Sequence, residues 1–274
     1  MRRTIFGPEH RLFRETVEHF IATAIEPNHD AWTQAGRVDK AMFRAAGEQG
    51  LLGMAIPEEY GGGGIDDFRY NAILDEAITA SGAAASGLCI TLHNDICIPY
   101  FLSLADPAQR DRWCPGLASG ELMTAIAMTE PDTGSDLAAI STTAALEDDV
   151  YVVNGSKTFI TNGLNADLVI AVVRTDPDPH GGLTLLVIED GMSGFERGRN
   201  LKKIGMHAQD TSELFFNAVR VPVENRLGPE GAGFLQLVAH LPQERLSIAV
   251  GAVAAAEAAL ALTIAYARDR TAFG

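Results

Sequence analysis

Twice along this chain the spacing of apolar residues changes, and that alternation limits the folds open to it. From Pro8 to about Gly120 apolar residues recur at helical spacing. Breaks fall at Gly36, at the Gly61 to Gly64 run and at Asp106-Pro107, where an Asp cap precedes a Pro at the first helical position. From Leu122 to about Val223 the texture turns to short runs rich in Val, Ile, Thr and Phe, such as YVVNGSKTFI, DLVIAVV and LTLLVI, separated by Gly, Asp, Asn and Pro. After Glu224 the helical pattern returns through GPEGAGF into one long helix, from about Gly233 or Pro242 to Arg270. The expectation is an α+β chain with an N-terminal all-helical domain over residues 1–121, a central barrel-like or sandwich β domain over 122–224, and a return to helix over 225–274. No internal repeat or low-complexity tract interrupts this order.

Composition narrows the function classes. With 274 residues, 47% of them hydrophobic, the chain can bury a real core and is long enough for more than one domain. A formal net charge of -15 argues against sequence-independent nucleic-acid binding and against an anionic membrane surface. Leu246 to Ala267 is nearly uncharged, yet it is built of alanine rather than leucine and carries Glu257, so a buried bundle helix is expected and no membrane span. Glu9, His10 and Arg11 break any apolar run behind the basic start, so no signal peptide is read and a soluble, cytoplasmic protein is expected. Cys89, Cys97 and Cys114 are unevenly spaced and lack a CxxC or a His pairing, which fits a reducing compartment and no metal site. Arg197, Arg199, Lys202 and Lys203 form the densest basic cluster, readable as a solvated surface or as local charge for a polyanionic ligand.

On local chemistry alone the candidate sites stay open. Thr124 to Asp136, TAIAMTEPDTGSD, reads as an apolar strand running into a turn where Thr129, Thr133 and Ser135 crowd hydroxyls and backbone donors, either an anion cradle or a plain turn. The glycine run lacks a GxGxxG after a strand and reads as a flexible connector. There is no GxxxxGK[ST], GxSxG or HExxH, which removes the common rival chemistries.

Three segments in fixed order, TAIAMTEPDTGSD, YVVNGSKTFITNG at Tyr151 to Gly163, and LPQERLSIA leading to RDRTAFG at Leu241 to Gly274, together with PEEYGGGGI and GMHAQDTSELFF, resemble the acyl-CoA dehydrogenase family along essentially the whole chain. The resemblance is strongest to its long-chain branch, which carries a Glu in PQER. Family members run on beyond the RxxFG element, so against them the chain looks C-terminally truncated, and the resemblance implies that 225–274 is the first helix of a C-terminal helical bundle.

The resemblance implies FAD as cofactor, an acyl-CoA thioester of long or broad chain length as substrate, an electron-transferring flavoprotein as electron acceptor, and a homodimer or homotetramer. It implies α,β-dehydrogenation with Glu244 as the base that takes the alpha proton; from residue type alone Glu244 is equally a helix-start carboxylate answering the macrodipole, or a partner of Arg245. Ile126, Ala127 and Met128 would lie along the flavin ring, with Thr129, Gly134 and Ser135, and their neighbours Glu130 and Thr133, in the flavin-contacting turn. Phe159, Ile160 and Thr161 would form the second flavin contact, core packing being the other reading of Phe159. Arg270 would reach the FAD pyrophosphate of a neighbouring subunit, or complement the end of a long helix. Ser135, Pro179, His180, Leu235, Pro242, Gln243, Glu244 and Arg245 are the implied substrate contacts. Two alternatives remain: an acyl-CoA oxidase or flavin monooxygenase relative, and a non-catalytic scaffold.

Overall fold

Capping residues set most helix limits in the computed structural model, which describes residues 3–273; Met1, Arg2 and Gly274, the last residue of RTAFG, lie outside the described residues. Helix α1 (Pro8–Phe20) has Pro8 at its first position, and α2 (His29–Ala35) stops at Gly36 with φ of 72°. The side chains of Asp39 and Asp67 accept from backbone N–H groups at the starts of α3 (Lys40–Glu48) and α4 (Phe68–Ala80). Helix α5 (Ala84–Thr91) continues through a π-helical stretch, Leu92–Cys97, into α6 (Ile98–Leu104). As the Asp106-Pro107 pair predicts, α7 (Pro107–Ser119) opens with a reciprocal Asp106–Gln109 cap, and it ends at Gly120 in the left-handed region.

The glycine run departs from the expected flexible connector. Gly63 N–H donates to Gly53 O at 3.2 Å and Gly64 N–H to Ile56 O at 2.8 Å. A Cβ on Gly62 would lie 2.2 Å from Ile56 O, so the glycines are there for close backbone approach.

The strands form one eight-stranded sheet: β1 (Thr124–Ala127), β2 (Thr143–Glu147), β3 (Val150–Thr161), β4 (Leu168–Arg174), β5 (Leu183–Glu189), β6 (Phe195–Asn200), β7 (Thr211–Pro222) and β8 (Arg226–Leu227). Their order is β6-β7-β3-β2-β4-β5-β8, with β1 parallel to β4. The sheet folds over an interior shared by Ala125, Tyr151, Val153, Val169, Ala171, Leu214 and Phe216. The other face of β4 and β5, through Leu168, Ile170, Leu185 and Val187, packs on Phe101, Trp113 and Leu117 of α6 and α7. Being covered on both faces, these two strands read as continuous apolar runs rather than alternating ones.

Helix α8 (Gly233–Asp269) runs for 37 residues, about 55 Å at 1.5 Å per residue. It begins at Gly233, so Pro242 stands inside the helix and Glu244 lies about three turns in. The helix-start reading of Glu244 therefore falls. By length and composition α8 would also pass for a membrane span. The expected burial of Leu246 to Ala267 is only partly found: Ser247 and Ala254 are buried, while Leu246, Ile248, Val253, Leu260 and Leu262 are exposed, because no other described element covers that side.

Asp95, in the π-helical stretch, ties α4 to α8. Its carboxylate accepts from Asn71 Nδ2 at 2.6 Å and from Ser247 Oγ at 2.5 Å, and its backbone oxygen accepts from Gln243 Nε2 at 2.9 Å. One turn along, Gly251 sits against Asp75, where a Cβ would come within 3.1 Å of the carboxylate.

Two outcomes follow from the buried charges. Lys157, fully buried, donates to Glu130 Oε1 at 2.8 Å, so Lys157→Met should leave an unpaired buried carboxylate and cost about 3–5 kcal/mol in urea unfolding, most of it recovered by adding Glu130→Gln. Burial raises the Asp95 carboxyl to about 6, opposed by the Asn71 and Ser247 hydrogen bonds and helped by Asp75. A folded value above the unfolded one stabilises the protonated fold, and that advantage is lost as the pH climbs from about 4 through about 6. Asp95→Asn, which cannot ionise, should therefore gain stability relative to wild type between pH 4 and pH 8, by up to about 3 kcal/mol. An equal difference at both pH values in thermal unfolding would refute this.

Candidate active site

Glu130 is what shapes the turn after β1. Its carboxylate accepts from Ser141 N–H, Ser141 Oγ, Thr142 N–H and Lys157 Nζ, and Lys157 also donates to Met128 O at 3.1 Å. Burial alone would raise the Glu130 carboxyl, but the Lys157 charge and these hydrogen bonds pull it down to about 2; burial lowers Lys157 to about 8 against the pull of Glu130. Glu130 is thus an internal anchor. Across the same join Thr158 N–H donates to Thr129 O at 2.9 Å, which holds the turn against the β3 bulge between Lys157 and Ile160. Beyond the anchor the turn is open: Gly134 and Ser135 are exposed, and a Cβ on Gly134 would meet nothing within 4 Å.

The bulge presents Phe159 outward. Its φ is 59° and its relative exposure 67%, so the core-packing reading falls, whereas Ile160 is buried. A left-handed backbone at a bulky aromatic costs energy and persists only where its surroundings impose it. Here the Glu130–Lys157 pair and the bulge do so.

Thr161, at the end of β3, lines a cavity of about 510 Å³ between α4, α5 and α8. Its wall is mostly apolar, with Ile78, Leu88, Leu92, Ile96 and Ile248, and polar groups enter from Asp75, Thr79, Thr91 and Ser247. Burial raises the Asp75 carboxyl to about 6, opposed by a hydrogen bond from Thr79.

Glu244 lies one helical turn before Ser247 and is buried. Its carboxylate accepts from Tyr100 Oη at 2.9 Å, across 144 residues of chain, and no ion pair with Arg245 forms. Burial raises the Glu244 carboxyl above the usual range, opposed by the Tyr100 hydrogen bond and the charges of His240 and Arg245. Glu244 does not itself line the cavity; Ser247 and Ile248, the next turn of α8, do.

Other expected residues lie apart from this centre. His180 packs edge-on to Phe234 at 4.7 Å, beside exposed Pro179 and exposed Leu235 at the start of α8. Pro242 and Arg245 are exposed, and the Gln243 amide is engaged by Asp95. Arg270 lies 26 residues beyond Glu244 along or just past α8, about 39 Å away, where it donates to Tyr266 Oη at 3.0 Å. Within one chain it cannot join the centre. The basic cluster is split: Arg197 donates to Asp190 and to the Gly163 and Ala166 carbonyls, and Lys203 to Gln209 O and Thr211, whereas Arg199 and Lys202 stay exposed, so the solvated-surface reading holds for those two. No group of His, Cys, Asp and Glu able to hold a metal occurs among the described residues.

Sequence reasoning missed Tyr100, Asp95, Asp75 and the anchoring role of Lys157. Tyr100 and Asp95 lie in helical sequence far from the PQER motif, and nothing in their spacing marks them. Lys157 carried a faint signal, a lysine at the same alternate positions of β3 as the inward-facing Tyr151 and Val153.

Residues 7–121 match the acyl-CoA dehydrogenase N-terminal domain, 125–219 the acyl-CoA dehydrogenase middle domain, and 231–274 the acyl-CoA dehydrogenase C-terminal domain. The long-chain specific acyl-CoA dehydrogenase, mitochondrial, of Mus musculus is 43% identical over 275 residues, covering 99% of this chain and 63% of that protein. This chain therefore spans less than two thirds of that relative. The crystal structure of acyl-CoA dehydrogenase from Geobacillus kaustophilus superposes with a TM-score of 0.96 at 45% identity, over 100% of this chain and 72% of that one. An acyl-CoA dehydrogenase complexed with FAD from Bacillus anthracis superposes with a TM-score of 0.92 at 31% identity, over 100% of this chain and 46% of that one. Three successive domain matches in one order, and 45% identity to a structure of which more than two thirds is covered, make this chain a member of the acyl-CoA dehydrogenase family.

Proposed function

We propose that this chain carries the cofactor face, the acyl cavity and the base of an acyl-CoA dehydrogenase of long-chain or broad specificity, which converts an acyl-CoA thioester to the trans-2-enoyl-CoA. The observation that carries the reading is a buried carboxylate, Glu244, one helical turn from a mostly apolar cavity whose wall also includes Thr161, next to the outward-turned Phe159. The fit to FAD rests on the same place: an exposed aromatic in a strained backbone, a hydroxyl at the cavity wall, and an open turn at Gly134 and Ser135 whose N–H groups suit phosphate or ring oxygens. When bound, FAD supplies the hydride acceptor.

In this reading the Glu244 carboxylate takes the alpha proton while the beta carbon loses a hydride with its electron pair, and a carbon–carbon double bond forms between them. An alpha C–H is a feeble acid, so the base must be ionised yet poorly solvated: burial of Glu244 withholds water, and the Tyr100 hydrogen bond opposes the protonation that burial favours. Ile126, Met128 and Phe159 provide apolar surface for a planar ring, Ser135 and Thr161 provide donors at its edge, and the apolar wall of Leu88, Leu92, Ile96 and Ile248 accepts the acyl chain. Pro179, His180 and Leu235, grouped at the start of α8, are proposed to meet the CoA end or cavity mouth. Arg270, far from Glu244 within one chain, is proposed to act on the cofactor of a second subunit in a homodimer or homotetramer. The three domains over 1–121, 122–224 and 225–274, a soluble cytoplasmic setting and transfer of electrons to an electron-transferring flavoprotein belong to the same proposal.

A second reading, a scaffold without turnover, draws on the exposed apolar side of α8. Anaerobic titration of the purified chain with FAD and a long-chain acyl-CoA separates the two: bleaching of bound flavin supports the dehydrogenase, and failure to bind flavin supports the scaffold. Hydrogen peroxide released on aerobic turnover would instead assign an oxidase.

Two further outcomes are expected. Glu244→Gln should bind FAD and ligand yet lose at least 100-fold in flavin reduction, on the order of a general base's contribution, and wild-type reduction should rise with pH through a limb above the ordinary carboxylate range, since the ionised form is the active one. Flavin reduction by Glu244→Gln at the wild-type rate would sink the assignment. Phe159→Gly should relieve the left-handed backbone, leaving thermal stability equal or raised by about 1 kcal/mol, while weakening FAD binding. Unchanged FAD affinity by fluorescence titration would remove Phe159 from the cofactor face.

A further inference from the structure

Tyr100 is fully buried, and its ring is fixed before its hydroxyl is considered. It stacks on His240 at 4.1 Å with the planes 20° apart, and His240 is itself held at Nδ1 by Gln236 O and at Nε2 by Ser103 Oγ. A buried phenol must find an acceptor, and the one it reaches is Glu244 Oε1 at 2.9 Å. Glu244 Oε2 takes no hydrogen bond from the described residues. Farther along the same helical stretch, Asp95 holds Gln243 and Ser247, the residues on either side of Glu244 on α8. The backbone beneath the carboxylate is thereby fixed as firmly as its first oxygen.

We infer that Tyr100 is a positioning residue for the base: its hydroxyl pins Glu244 through Oε1 and leaves Oε2 as the oxygen free to receive a proton. The inference rests on the reading of Glu244 as the base. A donor aimed at a carboxylate favours its ionised form, so Tyr100 works against the burial that would otherwise keep Glu244 protonated. The charged or titratable groups facing Glu244 are few: Tyr100 from α6, Cys97 from the π-helical stretch, and His240 and Arg245 from α8 itself. Burial holds the Cys97 thiol up at about 12, so it stays neutral through the working range, and the phenol is raised likewise. Among these groups Tyr100 alone donates a hydrogen bond to the carboxylate.

The test is Tyr100→Phe, which keeps the ring and its stack on His240 and removes only the hydroxyl. With the full chain labelled at glutamate side-chain carboxyl carbons, Glu244→Gln identifies the Glu244 signal by its loss, and the signal is then titrated by NMR without cofactor. Tyr100→Phe should move that titration upward by about one unit, a tenfold loss of ionised Glu244 at a fixed pH below it. With FAD and acyl-CoA bound, the acid limb of flavin reduction should move upward by the same amount, while FAD affinity is unchanged. A Glu244 titration that does not move in Tyr100→Phe overturns the inference alone. A titration that moves while Glu244→Gln still reduces flavin normally overturns the base reading, and the catalytic meaning of Tyr100 with it. A second measurement leaves Tyr100 in place: titration of Glu244 should perturb a tyrosine near-ultraviolet band in wild type and not in Glu244→Gln, and no perturbation in wild type counts equally against the contact.

Discussion

Coverage of β4 and β5 on both faces is the constraint on which the rest of this molecule depends. Val169, Ala171 and Val173 of β4 look into the folded sheet, while Leu168, Ile170 and Val172 look out onto Phe101, Trp113 and Leu117. A strand with no wet face cannot tolerate loss of either neighbour, because each apolar side chain returned to water costs on the order of 1.5–3 kcal/mol. The helical layer and the sheet are therefore locked together through one pair of strands. That lock brings the end of β3 to the cavity between α4, α5 and α8, and with it Thr161 to the same wall as Ser247.

Around this apolar frame, the polar groups that matter are buried and few. Glu130 and Lys157 meet in a fully desolvated pair whose attraction must offset the cost of removing both charges from water, and it succeeds because Ser141 and Thr142 fill the remaining acceptor positions of the carboxylate. The return is geometric: the turn after β1 and the bulge of β3 cannot move apart, so Phe159 is held outward against its own backbone preference. Asp95 does the same for α4 and α8, and Tyr100 for Glu244. Each is a case in which a costly group is accepted where orientation is needed.

Helix α8 joins the two economies. Its docked side supplies Glu244, Ser247 and Gly251 to the centre, while Leu246, Val253, Leu260 and Leu262 face outward. The first side explains how a helix of small residues approaches Asp75 so closely, since a Cβ at position 251 would press to 3.1 Å against its carboxylate. The second explains why its composition resembles that of an interior helix although much of it is exposed in a single chain.

The sequence by itself determined the succession of helices, strands and one final long helix, because period, caps and breakers act within a few residues of one another: Asp106-Pro107 starts a helix and Gly36 ends one whatever lies elsewhere. It also carried the PQER glutamate and the turn and bulge segments as named motifs. Tertiary structure alone decided that Gly61 to Gly64 are tightly bonded rather than flexible, that Phe159 faces out, that Arg197 and Lys203 are spoken for, and that Glu244 answers Tyr100 rather than a helix start. Those outcomes depend on contacts that no helical or strand period sets, from Lys203 with Thr211, 8 residues on, to Tyr100 with Glu244, 144 residues on. Burial and pairing, unlike helical period, are properties of the assembled neighbours and leave no local mark in the chain.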